Sequence, residues 1–225
     1  IMEEKQSKLS KKDLNKAIWR WQFFSHANYN YERLQASSFA LSMIPIVKKL
    51  YPNDKEKQVE AIQRHLGFFN TEPNFGAVIH GITVAMEEEK SDGAPISEEA
   101  INSIKVGLMG PLAGLGDTLT QGTIIPLLLA IGISFGEKGN LFGPLFFMLA
   151  CSAALIMITR TTFFLGYKSG KNAVNTLLTD ERFDKVINGA SILGVMVIGA
   201  LIAQYVQFNL ALVLNIGSTV IDLQK

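Results

Sequence analysis

Three stretches of this chain are almost free of charge, and they constrain its fold more than any other feature. No charged residue lies between Gly139 and Thr159, thirty-six residues pass without a formal charge from Val186 to Ile221, and Val106–Gly136 carries one ionisable residue, Asp117. A helix needs roughly 20 apolar residues to cross roughly 30 Å of hydrocarbon, so the first two stretches are long enough to span. The alternative is a soluble helical protein with three deeply buried helices. Gly139–Thr159 is apolar around its whole circumference, which suits either a deep core element or a span. A globule of 225 residues has room for about one such helix and hardly three, so the reading is integral to a membrane. Only 18% of residues are charged, against about 25% in an average soluble domain.

The remaining composition excludes several classes. A net charge of +1 removes the bulk electrostatic argument for nucleic acid. The single cysteine, Cys151, rules out a disulfide framework. The first seventeen residues are polar, so the apolar runs of the second half are not a signal peptide. Ile1 preceding Met2 reads as a numbering that starts away from a natural initiator.

Along the chain, Asp13 or Asn15 is expected to start a helix through Ile18, Trp19, Trp21 and Phe24. Tryptophans beside Lys16 and Arg20 suit either the headgroup layer or the core of a polar subdomain. Arg33–Tyr51 is helical by spacing, with a break or kink at Pro45, and 52–54 is a turn. Lys55–Phe69 is expected to present Val59, Ile62, Leu66 and Phe69 on one face. Phe75–Met86 is apolar over only twelve residues and reads as a re-entrant or buried half-helix. Glu87–Gly93 reads as a solvated turn, and Ser97 as the N-cap of a helix that Gly110-Pro111 stops.

The stretch from Gly107 to Pro126 (GLMGPLAGLGDTLTQGTIIP) is the most informative. Its five glycines and two prolines predict irregular backbone between membrane-grade flanks. Such backbone survives at membrane depth only inside protein or beside a watery cavity, which is where transporters place their sites. Asp117 is a functional candidate because an intramembrane carboxylate costs about 2.5–3.5 kcal/mol. A cap of the following helix is its structural alternative. The candidate residues for a substrate pathway or subunit interface are Gly110, Pro111, Gly114, Gly116, Asp117, Thr118, Thr120, Gln121 and Thr123. No catalytic constellation, cofactor fingerprint or metal set is expected. Gly114-Leu115-Gly116-Asp117 follows no strand, and His26, His65 and His80 lack partners at ligand spacing.

Basic residues orient the chain. Residues 1–64 hold twelve of the twenty-one Lys and Arg, and Arg160–Lys185 holds five more. If 106–136 and 141–159 form a hairpin, both regions share one side, cytoplasmic by the positive-inside rule, and a third span from about Val186 to Phe208 leaves 209–225 outside. Small residues such as Gly189, Gly194 and Gly199 suit close packing of that last helix. The expected fold class is an all-α integral membrane protein with amphipathic N-terminal helices plus transmembrane and broken or re-entrant helices. Its regions are interfacial or cytoplasmic helices over 1–70, half-helices and the glycine-rich segment over 71–122, and transmembrane helices over 123–225.

The runs GLMGPLAGLGD (107–117), RLQASSFALSMIPIVKKLYP (33–52), RHLGFFNTEPNFG (64–76), GNLFGPLFF (139–147) and GASILGVMVIGALIA (189–203) resemble the IID component of the mannose/fructose/sorbose family of the bacterial phosphotransferase system. The similarity extends in order from about Lys11 to about Val213, making the whole chain one domain of that type. The resemblance implies a plasma-membrane subunit that joins a IIC subunit to translocate a hexose or related sugar, in trimers of IIC–IID pairs. Separate IIA and IIB proteins would carry the phosphoryl group, so this subunit would be no enzyme by itself and need no cofactor. Thr118-Leu119-Thr120-Gln121 and Ile125 depart from the aromatic residues and arginine that many relatives carry after the aspartate, which leaves the sugar unassigned. Relatives also continue past the equivalent of Lys225, so the resemblance implies a missing natural end. The competing functional reading is a non-transporting membrane scaffold or receptor whose N-terminal half binds partners.

Overall fold

The computed structural model describes residues 8–137 and 139–177, the single positions Ile192, Met196 and Gly199, and the segments 213–216 and 219–222. Four amphipathic helices build a head. Helix α1 (Lys11–Phe24) starts at Ser10, not at Asp13 or Asn15: Ser10 Oγ accepts from the Asp13 amide while the Asp13 carboxylate accepts from the Ser10 amide at 3.1 Å. This reciprocal pair satisfies donors that the first turn leaves free. Helix α2 (Ala36–Leu50) passes through Pro45 without ending, and α3 (Lys55–Gln63) is capped by Asp54. Helix α4 (Ala77–Ser91) completes the set. Trp21, Phe39, Phe69, Met43, Ile46, Ile79 and Met86 fill the space between them.

Helix α5 (Glu98–Leu119) begins at Ser97, whose Oγ accepts from the Ala100 amide at 3.1 Å. It runs through Pro111, passes a π-helical turn at Thr120–Ile124, and continues as α6 (Ile125–Gly136). The expected stop at Gly110-Pro111 is therefore absent, and the glycine-rich stretch is helical. Proline removes one N–H and crowds the carbonyl four residues back, a position filled here by Gly107. The irregularity predicted from the glycines takes the form of a π turn, a rare bulge that is frequent at functional sites where it does occur.

Helix α7 (Phe142–Leu177) returns antiparallel to α6. The two backbones nearly touch: a Cβ on Gly143 would lie 2.3 Å from the Gly132 carbonyl oxygen. Glu98–Gly136 and Phe142–Gly170 are long and apolar enough to cross a membrane, and only 11% of each apolar window is buried within the chain. A soluble core helix would be mostly covered, whereas Leu127, Ile133, Leu145 and Leu149 face outward. The far half of α7 leaves the hairpin and becomes the central helix of the head. There a Cβ on Gly81 of α4 would lie 2.0 Å from the Phe163 carbonyl oxygen, and one on Gly166 would lie 2.0 Å from that of Val78.

Several local expectations are corrected. Of the two readings of Phe75–Met86 the buried one holds: the stretch is not re-entrant but supplies most of α4, a full helix buried in the head. Glu87 and Glu88 are not in a solvated turn; both are buried on α4, because Arg64 and His65 contact Glu87 while Tyr167 donates to Glu88. On α3 the covered residues are Gln58 and Ala61, and Val59 is exposed. The expected third span lies outside the described residues except for Ile192, Met196 and Gly199, which are helical. Val213–Ile216 (β1) pairs antiparallel with Thr219–Asp222 (β2).

Candidate functional site

All nine candidate residues sit on one continuous helical segment, and helical periodicity sorts them. Gly116 and Thr120 are buried, Pro111, Gly114 and Thr118 are half-buried, and Gly110, Asp117, Gln121 and Thr123 are exposed. Gly110, Gly114, Asp117 and Gln121 follow the spacing of one outward stripe. Asp117 is mid-helix, so it does not cap a following helix.

The hydroxyls are committed to the backbone. Thr118 Oγ1 donates to the Gly114 carbonyl at 2.8 Å, Thr120 Oγ1 to that of Gly116 at 2.6 Å, and Thr123 Oγ1 to that of Thr118 at 3.0 Å. Three hydroxyls thus line the carbonyls around the π turn, where the helical ladder is displaced. Asp117 and Gln121 are left as side chains with no hydrogen bond among the described residues.

The loop between α3 and α4 supplies what the spacing alone did not reveal. Asn70–Gly76 is wedged against three helices, α1, α5 and α7. Thr71 Oγ1 donates to the Met109 carbonyl of α5 at 3.0 Å, and Trp21 Nε1 of α1 donates to the Pro73 carbonyl at 2.9 Å. Thr159 Oγ1 of α7 donates to Asn74 Oδ1 at 3.0 Å, and Thr162 Oγ1 to the Asn74 carbonyl at 2.7 Å. The buried Glu72 carboxylate accepts from the Phe75 amide at 2.7 Å and from the Asn74 side chain. Gly116 lies directly over it. Only glycine permits this contact between helix and loop. The Tyr29 hydroxyl donates to Asn70 Oδ1, and burial with the nearby Asp117 charge pushes the Tyr29 pKa up.

These contacts fix a level on the hairpin. Phe142–Thr159 covers about 27 Å of helix, and the path from Asp117 to Gly136 covers roughly 28 Å. Since Gly132 and Gly143 meet at the hairpin tip, Asp117 and Arg160 lie at its opposite end, beside the polar loop. Asp117 therefore occupies the foot of the hairpin instead of its middle. The cost of placing a carboxylate there is lower than at a bilayer centre.

A second polar cluster lies inside the head. Arg64 Nε approaches Glu87 Oε1 at 3.0 Å as an ion contact and His65 Nε2 approaches the same oxygen at 3.1 Å, neither with an aligned hydrogen bond. The Lys105 ammonium sits 4.7 Å from the Phe39 ring centre and 5.8 Å from that of Phe69. His80 contacts Ser42 Oγ at 2.9 Å and stacks on Phe39, and its burial lowers its pKa to about 3. Burial also lowers the His65 pKa, opposed by Glu87. Two of the three histidines are thus core residues with structural contacts. The described residues contain no group of three His, Cys, Asp or Glu placed to hold a metal.

Comparison with known proteins gives one consistent answer. Residues 8–225 match the family model of the "PTS system mannose/fructose/sorbose family IID component". The chain is 40% identical over 210 residues to the PTS system mannose-specific EIID component of Escherichia coli (strain K12), covering 93% of this chain and 74% of that protein. It is 39% identical to the PTS system sorbose-specific EIID component of Lacticaseibacillus casei, covering 93% of this chain and 73% of that protein. With the fructose permease IID component of Bacillus subtilis (strain 168) it shares 40% identity, covering 94% and 76%. Among solved structures, a chain of the mannose transporter ManYZ in complex with microcin E492 superposes with a TM-score of 0.82 at 38% identity, over 97% of this chain and 81% of that one.

Proposed function

The chain belongs to the mannose/fructose/sorbose family of phosphotransferase-system IID components, and from that premise we propose that the foot of its apolar hairpin forms the contact with a IIC subunit and borders the sugar pathway. It is a membrane protein of a sugar-transport system, α-helical apart from the short β1–β2 pair. In the proposed assembly the chain pairs with IIC, three such pairs associate, and the transported sugar is a hexose or a related amino sugar or ketose. IIA and IIB proteins deliver the phosphoryl group, IIB phosphorylates the emerging sugar, and this subunit performs no chemistry.

The observation that carries the site assignment is the pairing of Asp117 and Gln121 on an outward stripe with Gly110 and Gly114. Small residues let another helix approach closely, and a free carboxylate and amide at that approach supply the hydrogen bonds that a neighbouring chain or a sugar hydroxyl needs. Pro111, Gly116, Thr118, Thr120 and Thr123 serve the same segment by shaping the helix and its π turn. The basic residues of the head support a cytoplasmic N-terminus in a bacterial plasma membrane, with the 137–141 loop on the other side.

The test is transport in vesicles that hold the IIC–IID pair and a complete phosphorelay. Asp117→Asn is expected to lower uptake with the pair still assembled, or to release IIC from IID. Unchanged uptake together with unchanged assembly removes Asp117 from the site.

A further inference from the structure

Helix α1 carries a stripe that neither the head nor the proposed site uses. Leu14, Ala17, Ile18 and Trp21 face the core, and the opposite side presents Lys12, Lys16, Trp19 and Phe23. These four recur at the spacing of a single helical face. Trp19 is 39% exposed and Phe23 68% exposed, and their rings stack at 5.5 Å. Two large aromatic rings held together in water are an unusual expenditure of apolar surface.

The position of α1 says what covers them. Arg160 Nη1 donates to Asn15 Oδ1 of α1 at 3.0 Å. Arg160 is the first charged residue after the uncharged run from Gly139 to Thr159, so it marks where α7 leaves hydrocarbon. From Phe142 the intervening helix rises about 27 Å, close to one hydrocarbon thickness. The bond from Arg160 to Asn15 therefore holds α1 at the level of the headgroups. Its stripe combines aromatic rings with two lysines, the pairing that suits the boundary between acyl chains and anionic headgroups.

We propose that the Lys12, Lys16, Trp19 and Phe23 stripe of α1 docks into the lipid headgroup layer beside the hairpin, with the Trp19–Phe23 stack below the phosphates and the two lysines among them. The proposal rests on the reading of 106–136 and 142–159 as the membrane hairpin. A lipid surface is favoured over a protein partner because the stripe is narrow, basic at one end and aromatic at the other, and fixed at the bilayer boundary by Arg160. The contact sets the tilt of the head relative to the hairpin.

Tryptophan emission tests this in the intact IIC–IID pair, reconstituted in vesicles of phosphatidylethanolamine and phosphatidylglycerol. The difference between the unmodified pair and the Trp19→Phe variant isolates Trp19, since Trp21 is buried in the core. Lipids brominated near the top of their acyl chains are expected to quench that difference signal, and aqueous acrylamide to leave most of it. Quenching by acrylamide and not by brominated lipid overturns the proposal, because the stripe then faces water. Protection from both also overturns it, because another protein surface then covers the ring. Leu149→Trp in the Trp19→Phe background reports the hairpin separately: its quenching by deeply brominated lipid keeps the membrane reading intact even where the stripe fails.

Discussion

Gly116 lies so close to Glu72 that a Cβ added to it would stand 2.6 Å from Glu72 Oε2 and 2.7 Å from the Glu72 Cβ. That contact joins the glycine-rich helix to the polar loop at the hairpin foot. Gly116→Ala should force the loop or the helix to move, at about 1–3 kcal/mol for an overpacked site. Gly136→Ala, outside the proposed interface, meets nothing within 4 Å and should leave the fold unchanged. Thermal unfolding of the purified IIC–IID pair compares the two, and equal midpoints for both variants would contradict the packing described.

The seam between α4 and α7 is less forgiving. A Cβ on Gly166 would meet the Val78 carbonyl oxygen at 2.0 Å, and backbone yields less readily than a carboxylate side chain. Gly166→Ala is therefore expected to lower the yield of folded, detergent-extractable protein more than Gly116→Ala. Size-exclusion chromatography of the two variants, expressed side by side, gives the comparison.

The buried and exposed partners of Arg64 should differ in worth. Glu87 is fully buried, whereas the Glu98 side chain is 53% exposed. Glu87→Ala removes the acceptor facing Arg64 and His65 and should cost about 3–5 kcal/mol, as buried pairs do when one member is removed. Glu98→Ala should cost about 0–1 kcal/mol. Melting curves at moderate salt separate the two predictions.

His80 predicts an acid-sensitive head. Its folded pKa is lowered to about 3 from an ordinary value of 6.5, so the unfolded chain binds a proton that the native head refuses. The sign follows: its effect is absent above pH 6.5, and stability falls as pH drops from there toward 3. His65 shifts in the same direction. His80→Gln should flatten part of the fall between pH 6.5 and 4.5, read as the melting midpoint of the pair against pH.

Much of this architecture was legible in where charge is missing. The uncharged run from Gly139 to Thr159 and the near-uncharged run around Asp117 define the hairpin, because lipid and water sort side chains by charge regardless of tertiary detail. The interior of the head was less legible. Glu87 and Glu88 read as solvent-facing because their neighbours in sequence are polar, and only the fold brings Arg64, His65 and Tyr167 to them. Pro111 read as a stop because its local penalty is known, whereas the packing that carries the helix past it is not local. Trp19 and Trp21 left two readings open; Trp21 proves to be core, whereas Trp19 is exposed. Within the candidate site, Asp117 was singled out for its isolation among apolar residues. Glu72, Asn74 and Thr159 were missed because a polar loop with Pro73 ordinarily signals nothing beyond a turn.

The most direct test of the central claim is sugar uptake in vesicles supplied with phosphoenolpyruvate and the soluble phosphocarriers, containing IIC alone, this chain alone, or both. Labelled mannose, glucose, fructose, sorbose and glucosamine are offered in turn. At least one sugar is expected to accumulate as its phosphate only where both subunits are present. Uptake by IIC alone at the rate of the pair would contradict the account.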